Sequence, residues 1–194
     1  MSDTRTVIGG KKYRIDNARS ESFRAKARGA HAAPHACATG GDPMRIYRLK
    51  TELWVPGPRA AVFQFFADPA NLERLTPGWL RFKIISEAPP QPMTEGARLN
   101  YRLRIHGLPI KWQSEITAWN PPHRFVDRQT KGPYQFWEHE HTFLEREGGT
   151  LVCDSVGYSV LGGALVNRFL VAPDLNRIFR YRHRVLKTIF NSPG

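Results

Sequence analysis

Residues 132–158 read GPYQFWEHEHTFLEREGGTLVCDSVGY, which is the pattern of a β-hairpin. Alternate residues of a strand lie on the same side. The first arm therefore has an acidic face and an opposite face that is aromatic and basic, formed by Trp137, His139, His141 and Phe143. The pair Gly148-Gly149 predicts a two-residue turn, because glycine accepts the positive φ that such turns need.

The predicted turn also predicts how the two arms pair. Counting outward gives the pairs Phe143–Asp154, His141–Val156, His139–Tyr158 and Trp137–Val160. One face of the hairpin then carries two histidines and an aspartate among apolar side chains. Ionisable groups in such surroundings are costly unless they are paired, hydrogen-bonded or bound to a ligand. We therefore expect the functional site on this face.

Length and charge restrict the class of protein. The chain has 194 residues and two cysteines, Cys37 and Cys153, which favours one domain in a reducing compartment over a disulfide-rich secreted fold. No apolar run approaches the roughly 20 residues of a membrane span, and the N-terminus lacks the apolar segment of a secretory signal. We expect a cytoplasmic protein with no membrane insertion.

The net charge of +12 suggests nucleic acid or an anionic surface as a partner. Residues 1–43 hold only eight Lys or Arg against four Asp or Glu, so most of this charge belongs to the remaining chain. The aromatic residues, however, alternate toward the expected inside of the sheet instead of interleaving with arginines on an exposed platform. Nucleic-acid binding is therefore the less favoured alternative.

Residues 1–43 differ in composition from everything that follows. They are rich in Ala, Gly, Arg and Ser, lack periodic apolar residues and end in the breakers Gly40-Gly41-Asp42-Pro43. We predict a disordered extension, and a single domain over 44–194, where patterned sequence begins at Met44. Whether the extension belongs to the native protein is open. Its possible metal ligands, His31, His35 and Cys37, lack a fourth partner, and solvated coil is favoured.

The remaining pattern predicts the order of the elements. A strand over 47–55 is followed by two short helices and by six strands, near 81–86, 97–106, 110–119, 124–130, 134–145 and 150–160. Short Gly- and Pro-containing connections predict an antiparallel meander. Apolar residues at helical spacing from Leu165 to Phe190 predict a long terminal helix, with a break near Ala172 caused by Pro173.

Three segments carry a resemblance to a known superfamily. They are MRIYRLKTELWVPGPRAAVFQFFADPANLERLTPGWLRFKI (44–84), YRLRIHGLPIKWQSEITAWNPPHRFVDRQTKGPY (101–134) and WEHEHTF (137–143). They resemble small bacterial ligand-binding proteins of the SRPBCC superfamily, the START and birch-pollen-allergen group, related to polyketide cyclases and to the G-type subunit of carbon monoxide dehydrogenase. The resemblance implies an α+β helix-grip fold: a curved antiparallel sheet of about seven strands around a long C-terminal helix, with two short helices after the first strand.

The resemblance also implies a hydrophobic cavity between sheet and helix that binds a lipid, quinone or polyketide-like molecule. Strand parity predicts a lining of the same kind, since each strand has one face rich in apolar and aromatic residues. The candidate ligand-binding residues are Tyr101, Leu103, Trp112, Ile116, Phe125, Asp127, Trp137, His139, His141, Phe143, Asp154, Val156, Tyr158, Phe169 and Phe179. No cofactor is expected, and the oligomeric state is open.

Three interpretations of the polar residues remain. The favoured one is binding without bond making, in which His139, His141, Asp127 and Asp154 satisfy one another and the oxygens of a ligand. The second is a cyclase or dehydratase in which His141 or His139 is a general base oriented by Asp154.

The third interpretation is a metal site. His139, His141 and Glu145 share strand parity and make up two histidines and a carboxylate, as in some iron or manganese sites. Cupin barrels begin their metal motif in a similar way. The glycine spacing does not match that motif, however, and a long terminal helix fits a cupin badly. The prediction is therefore that no metal binds.

Overall fold

The computed structural model describes residues 7–8, 11–12, 14–17, 44–86 and 93–191. The strands are β1 (Val7–Ile8), β2 (Lys11–Lys12), β3 (Arg14–Asn17), β4 (Tyr47–Pro56), β5 (Lys83–Ile84), β6 (Arg98–Ile105), β7 (Leu108–Asn120), β8 (Arg124–Lys131), β9 (Phe136–Arg146) and β10 (Gly149–Ser159). The helices are α1 (Arg59–Ala67), α2 (Pro69–Arg74), a 3-10 turn (Gly78–Leu80), α3 (Gly163–Val166), a π-helical turn (Asn167–Val171) and α4 (Ala172–Asn191).

The main sheet is antiparallel, with strand order β3-β4-β10-β9-β8-β7-β6-β5. Its strands from β4 to β10 are the seven predicted ones, and consecutive strands from β5 to β10 are neighbours, as in the expected meander. The first strand of that set pairs with the last, which brings both ends of the domain to the same region. The predicted α+β helix-grip fold, with two short helices after the first long strand, is confirmed.

The expected disordered extension contains short strands among its described residues. Strand β3 pairs antiparallel with β4, from Arg14 opposite Lys50 to Asn17 opposite Tyr47, and β1 pairs with β2. Disorder is therefore a wrong description of β3, because the open edge of β4 offers backbone groups for one more strand. The possible metal ligands His31, His35 and Cys37 lie outside the described residues.

The hairpin of β9 and β10 turns one residue earlier than predicted. Arg146 pairs with Gly149, and the positive φ angles of the turn belong to Glu147 and Gly148. Gly149 is instead a strand residue that a side chain would block: a Cβ there would lie 2.5 Å from the Trp54 ring. Glycine at 149 thus answers close packing and not turn geometry.

The predicted pairing of the arms is consequently wrong by two residues. The structure pairs Phe143 with Val152, His141 with Asp154, His139 with Val156 and Trp137 with Tyr158. A shift of two residues keeps every side chain on its predicted face. It also places Asp154 directly opposite His141, which becomes important in the site.

The C-terminal segment is helical from Gly163 to Asn191 without an interruption. The expected break near Ala172 is replaced by the π-helical turn, after which α4 begins at Ala172. A wide turn at this place accommodates Pro173, which has no N–H to donate and would crowd the preceding turn of a regular α-helix. Helix α4 packs on the sheet through Leu175, Phe179 and Leu186, which are buried.

Candidate ligand cavity and its histidine-aspartate cluster

A cavity of about 380 Å³ lies between the inner face of the sheet, the first helices and α4. Its wall is largely apolar because the inward-facing residues of β6 and β7 are Leu, Tyr, Trp and Ile, while the alternate residues are polar and face outward. Helices α1 and α2 contribute Phe65, Phe66 and Leu72, and α4 contributes Ile178 and Phe179.

Most of the predicted site residues line this cavity. They are Tyr101, Leu103, Trp112, Ile116, Phe125, Asp127, Trp137, His139, His141 and Phe179. All but Phe179 come from strands, where alternation reveals which side chains share a face. The strand pattern therefore predicted the sheet side of the wall well.

Four predicted residues lie behind the wall and do not line it. Phe143 is fully buried against α1, with its ring 5.3 Å from that of Phe63, so the helix covers it. Val156 and Tyr158 belong to a second core cluster, packed with Tyr47 and other apolar residues. Asp154 is buried beneath the two histidines. The strand face continues beyond the cavity into ordinary core, which parity alone does not reveal.

Phe169 is misplaced by the sequence analysis: it lies outside the cavity and is 66% exposed. It belongs to the π-helical turn, which holds one more residue than a regular turn. An extra residue rotates the preceding part of a helix by about 100° relative to the part that follows. Phe169 therefore does not share a face with Phe179.

Some wall residues escaped prediction. Arg182 is only 8% exposed and lines the cavity, with its guanidinium 5.3 Å from the centre of the Phe179 ring. Its spacing from Leu175, Phe179 and Leu186 is that of the buried face of α4, so helical periodicity contained the signal. Ser114, between the inward-facing Trp112 and Ile116, was likewise visible from strand parity.

The polar part of the wall is a cluster of two histidines and two aspartates, called here the His-Asp cluster: Asp127, His139, His141 and Asp154. Strand pairing assembles it, since Asp127 on β8 lies opposite His139 and Asp154 on β10 lies opposite His141. Both histidines and Asp154 are at most 5% exposed, while the side chain of Asp127 is 20% exposed and faces the cavity.

Each histidine lies between the two carboxylates. Asp154 Oδ1 is 2.9 Å from His139 Nε2 and 2.9 Å from His141 Nδ1, the first in hydrogen-bond geometry and the second out of line. Asp127 Oδ2 is 3.7 Å from His139 Nδ1 and 3.5 Å from His141 Nε2. The contact of His141 with Asp154 is the one that the general-base interpretation predicted.

A chain of hydroxyl groups fixes the other oxygen of Asp127. Ser114 Oγ lies 3.4 Å from Asp127 Oδ1 as donor, and it accepts from Trp112 Nε1 at 3.1 Å. The Tyr101 hydroxyl lies 2.9 Å from the same Ser114 oxygen. One hydroxyl has one proton and two lone pairs, so these three contacts use all of them when Tyr101 donates. Asp127 Oδ2 is thereby directed at the histidines.

The electrostatics separate the two histidines. Burial lowers the pKa of both, but for His141 the contacts with Asp127 and Asp154 outweigh burial and its pKa is raised. For His139, burial and the neighbouring His141 prevail and its pKa is lowered. Burial alone would raise the pKa of Asp154, yet hydrogen bonds to the two histidines hold that pKa well below its usual range.

The three residues considered as a metal set from strand parity do not meet. The side chain of Glu145 is 68% exposed and lies 3.3 Å from Arg59, whereas His139 and His141 face the cavity. Strand β9 has left the core by that point, as its last three residues are all exposed. The cupin-like set of His139, His141 and Glu145 is therefore wrong.

Sequence comparison identifies the family. Residues 55–180 match the model of the family described as polyketide cyclase/dehydrase and lipid transport. The chain belongs to this family. The match covers most of the sheet and the start of α4, and the predicted resemblance to the SRPBCC superfamily is confirmed. No curated protein sequence matches this member of the family.

Solved structures share the fold at low sequence identity. Protein Ms6760 from Mycobacterium smegmatis is 19% identical, with a TM-score of 0.56, over 74% of this chain and 90% of that one. TTHA0849 from Thermus thermophilus is 16% identical, with a TM-score of 0.58, over 73% and 94%. The major latex-like protein 151 of Panax ginseng is 13% identical, with a TM-score of 0.56, over 75% and 97%. At these identities the likeness establishes the fold alone.

The described part of this polyketide cyclase/dehydrase family member has no helix that is long and apolar enough to cross a membrane. Its cavity combines an extended apolar wall with one polar wall that holds carboxylates, imidazoles and hydroxyl groups. Such an arrangement can hold the apolar body of a molecule and hydrogen-bond its polar end.

Proposed function

We propose that the cavity binds a hydrophobic or amphipathic organic molecule, with its apolar body against the walls from β6, β7 and α4 and its polar end at the His-Asp cluster. One observation carries the proposal: an apolar cavity of about 380 Å³ with its titratable groups gathered on one wall. Ligand pockets commonly have volumes of about 300–1,000 Å³ and few, convergent polar groups. Lipids, quinones and polyketide-like molecules have matching chemistry.

Aromatic residues suit the proposed ligand. Trp112 lies 5.3 Å from Trp137 and 5.8 Å from Tyr101, centre to centre, and all three line the cavity. Their contacts hold large, rigid surfaces in place before a ligand arrives, which reduces the entropy lost on binding. The description of the family, which includes lipid transport, supports the same chemical class.

A fluorescent probe tests the proposal with two matched substitutions. The full chain is titrated with 1-anilinonaphthalene-8-sulfonate, an aromatic molecule with an anionic end, and the probe is excited directly. Leu103→Trp adds volume inside the cavity, where Leu103 is buried. Leu144→Trp makes the same change at a residue that is 47% exposed. We expect Leu103→Trp to weaken probe binding by at least about tenfold, or about 1.4 kcal/mol, and Leu144→Trp to leave it unchanged.

Circular dichroism and thermal unfolding of both variants separate loss of the cavity from loss of the fold. Equal probe binding by the wild type and by a folded Leu103→Trp would place the binding elsewhere and overturn the proposal. Organic extraction of the full chain, purified from a bacterial host, followed by mass spectrometry then identifies the natural ligand. The same extract from Leu103→Trp should lack that molecule.

A further inference from the structure

We propose that Asp127, His139 and His141 form a binding site for a divalent transition-metal ion in the wall of the cavity. Each of these residues offers one ligand atom, and these atoms all lie within 4.8 Å of one another. This inference is independent of the proposed function, because it concerns the protein without an organic ligand. It revises the prediction that no metal binds, in which Glu145 was the third ligand considered.

Asp154 determines which ring nitrogens can bind a metal. Its Oδ1 lies 2.9 Å from His139 Nε2 and from His141 Nδ1, so an N–H on either nitrogen meets a carboxylate oxygen at hydrogen-bond distance. A neutral imidazole carries one proton, and the other nitrogen then has a lone pair. His139 Nδ1 and His141 Nε2 are left as the nitrogens with lone pairs.

These two lone pairs face a third electron-rich atom. Asp127 Oδ2 lies 3.7 Å from His139 Nδ1 and 3.5 Å from His141 Nε2. Both distances exceed the 2.7–3.2 Å of ordinary N–H···O hydrogen bonds. Three such atoms converging in a largely apolar wall are unfavourable unless a positive charge lies between them. The hydrogen bond from Ser114 to Oδ1 keeps Oδ2 aimed at this point.

The separations suit a metal ion. Bonds from Zn²⁺ to imidazole nitrogen or carboxylate oxygen are about 2.0–2.2 Å long. Two ligands on such an ion lie roughly 3.0–3.5 Å apart in tetrahedral or octahedral geometry, so a shift of a few tenths of an ångström completes the site. Two imidazoles and one carboxylate favour zinc, iron or cobalt over magnesium or calcium, which prefer oxygen ligands.

The surrounding residues match the outer layer of a metal site. Ligating histidines usually donate their second N–H to a carboxylate, which fixes the ring and strengthens the ligand. Asp154 holds that position for both rings, and Thr51 Oγ1 lies 3.4 Å from its other oxygen as a donor. Asp127, His139 and His141 all line the cavity, so the remaining coordination positions face it. A molecule with an oxygen donor at its polar end could complete the coordination of the ion.

Cobalt binding tests the proposal with two conservative substitutions. The full chain carries His31→Ala, His35→Ala and Cys37→Ser as a background, since these residues could bind cobalt independently. After treatment with EDTA it is titrated with Co²⁺ at about pH 7.5, where imidazoles are largely neutral, and the visible d–d absorption is recorded. We expect one Co²⁺ per chain, displaced by Zn²⁺. Asp127→Asn should weaken binding by more than about 100-fold, because changes in the outer layer alone cost about 10–100-fold.

Glu145→Gln is the matched control, because it removes a carboxylate from the same strand as the histidines but outside the cluster. It should bind Co²⁺ like the background protein. Asp127→Asn keeps the size of the side chain, and circular dichroism checks its fold; His139→Gln removes a different ligand if the first variant does not fold. Absence of stoichiometric Co²⁺ binding to the background protein, or equal binding by a folded Asp127→Asn, would show that protons alone balance the cluster and overturn the proposal.

Discussion

Cys153 illustrates how neighbouring groups set the chemistry of one side chain. It lies on β10 opposite Glu52 of β4, on the face of the strand that does not carry Asp154. Burial, then the negative charges of Glu52 and Asp154, raise the pKa of its thiol to about 11, although Arg146 acts in the other direction. The reactive thiolate is therefore a small fraction of Cys153 near neutral pH.

Alkylation should reveal this shift. In a Cys37→Ser chain, we expect iodoacetamide at about pH 8 to modify Cys153 at least about tenfold more slowly in the native protein than in urea, since only the thiolate reacts. Glu52→Gln should accelerate the native reaction because it removes the second cause of the raised pKa. Mass spectrometry of timed samples measures both rates. A native rate equal to that in urea would contradict the assignment.

At the scale of elements, one buried hydrogen bond ties the helical segment to the sheet. The hydroxyl of Tyr158 on β10 donates to Asn167 Oδ1 in the π-helical turn at 2.8 Å, and both side chains are buried. The bond fixes the turn next to Pro173, where regular helical geometry is interrupted. Leaving a buried partner unsatisfied costs about 1–3 kcal/mol.

A double-mutant cycle should isolate this bond. Asn167→Ala leaves the Tyr158 hydroxyl without its acceptor, so we expect the free energy of unfolding to fall by about 1–3 kcal/mol. Adding Tyr158→Phe removes the stranded hydroxyl, and the second substitution should then cost less than it does in the wild type. Urea unfolding of the four proteins measures the coupling. Additive effects would mean that the bond does not hold the turn.

The same elements show what the sequence could and could not predict. Strand alternation and the short turns were sufficient for the meander and for the face to which each hairpin residue belongs. The register was not, because Gly149 serves the close approach of Trp54 and only the assembled sheet brings that ring there. The widened turn before Pro173 depends equally on packing, and it is what turned Phe169 outward.

For the whole molecule, the prediction of the site was best where one sheet surface forms it. Asp127, His139, His141 and Asp154 were all chosen from parity, and strand pairing brings them together. Their exact partners required the register. Arg182 was missed because its charge outweighed its position on the buried face of α4. Division of that one surface into cavity wall and core depends on how α1 and α4 cover it, which no local pattern contains.

Alkaline pH should weaken the whole fold through its buried tyrosines. Burial is the main cause that raises the pKa of Tyr101, Tyr134 and Tyr158 above the usual value near 10. Below about pH 10 these groups are neutral in both states. Above it they ionise only in the unfolded chain, which then binds fewer protons than the native state, so stability falls as pH rises.

Each such tyrosine contributes a slope of up to about 1.4 kcal/mol per pH unit, or roughly 4 kcal/mol for the three. Urea unfolding between about pH 9 and 11 measures the total slope. Tyr134→Phe keeps the ring that packs 4.8 Å from Trp137, centre to centre, and removes one titrating hydroxyl. It should reduce the slope by about one third. An unchanged slope in that variant would mean that Tyr134 ionises equally in both states and that the cavity admits water to it.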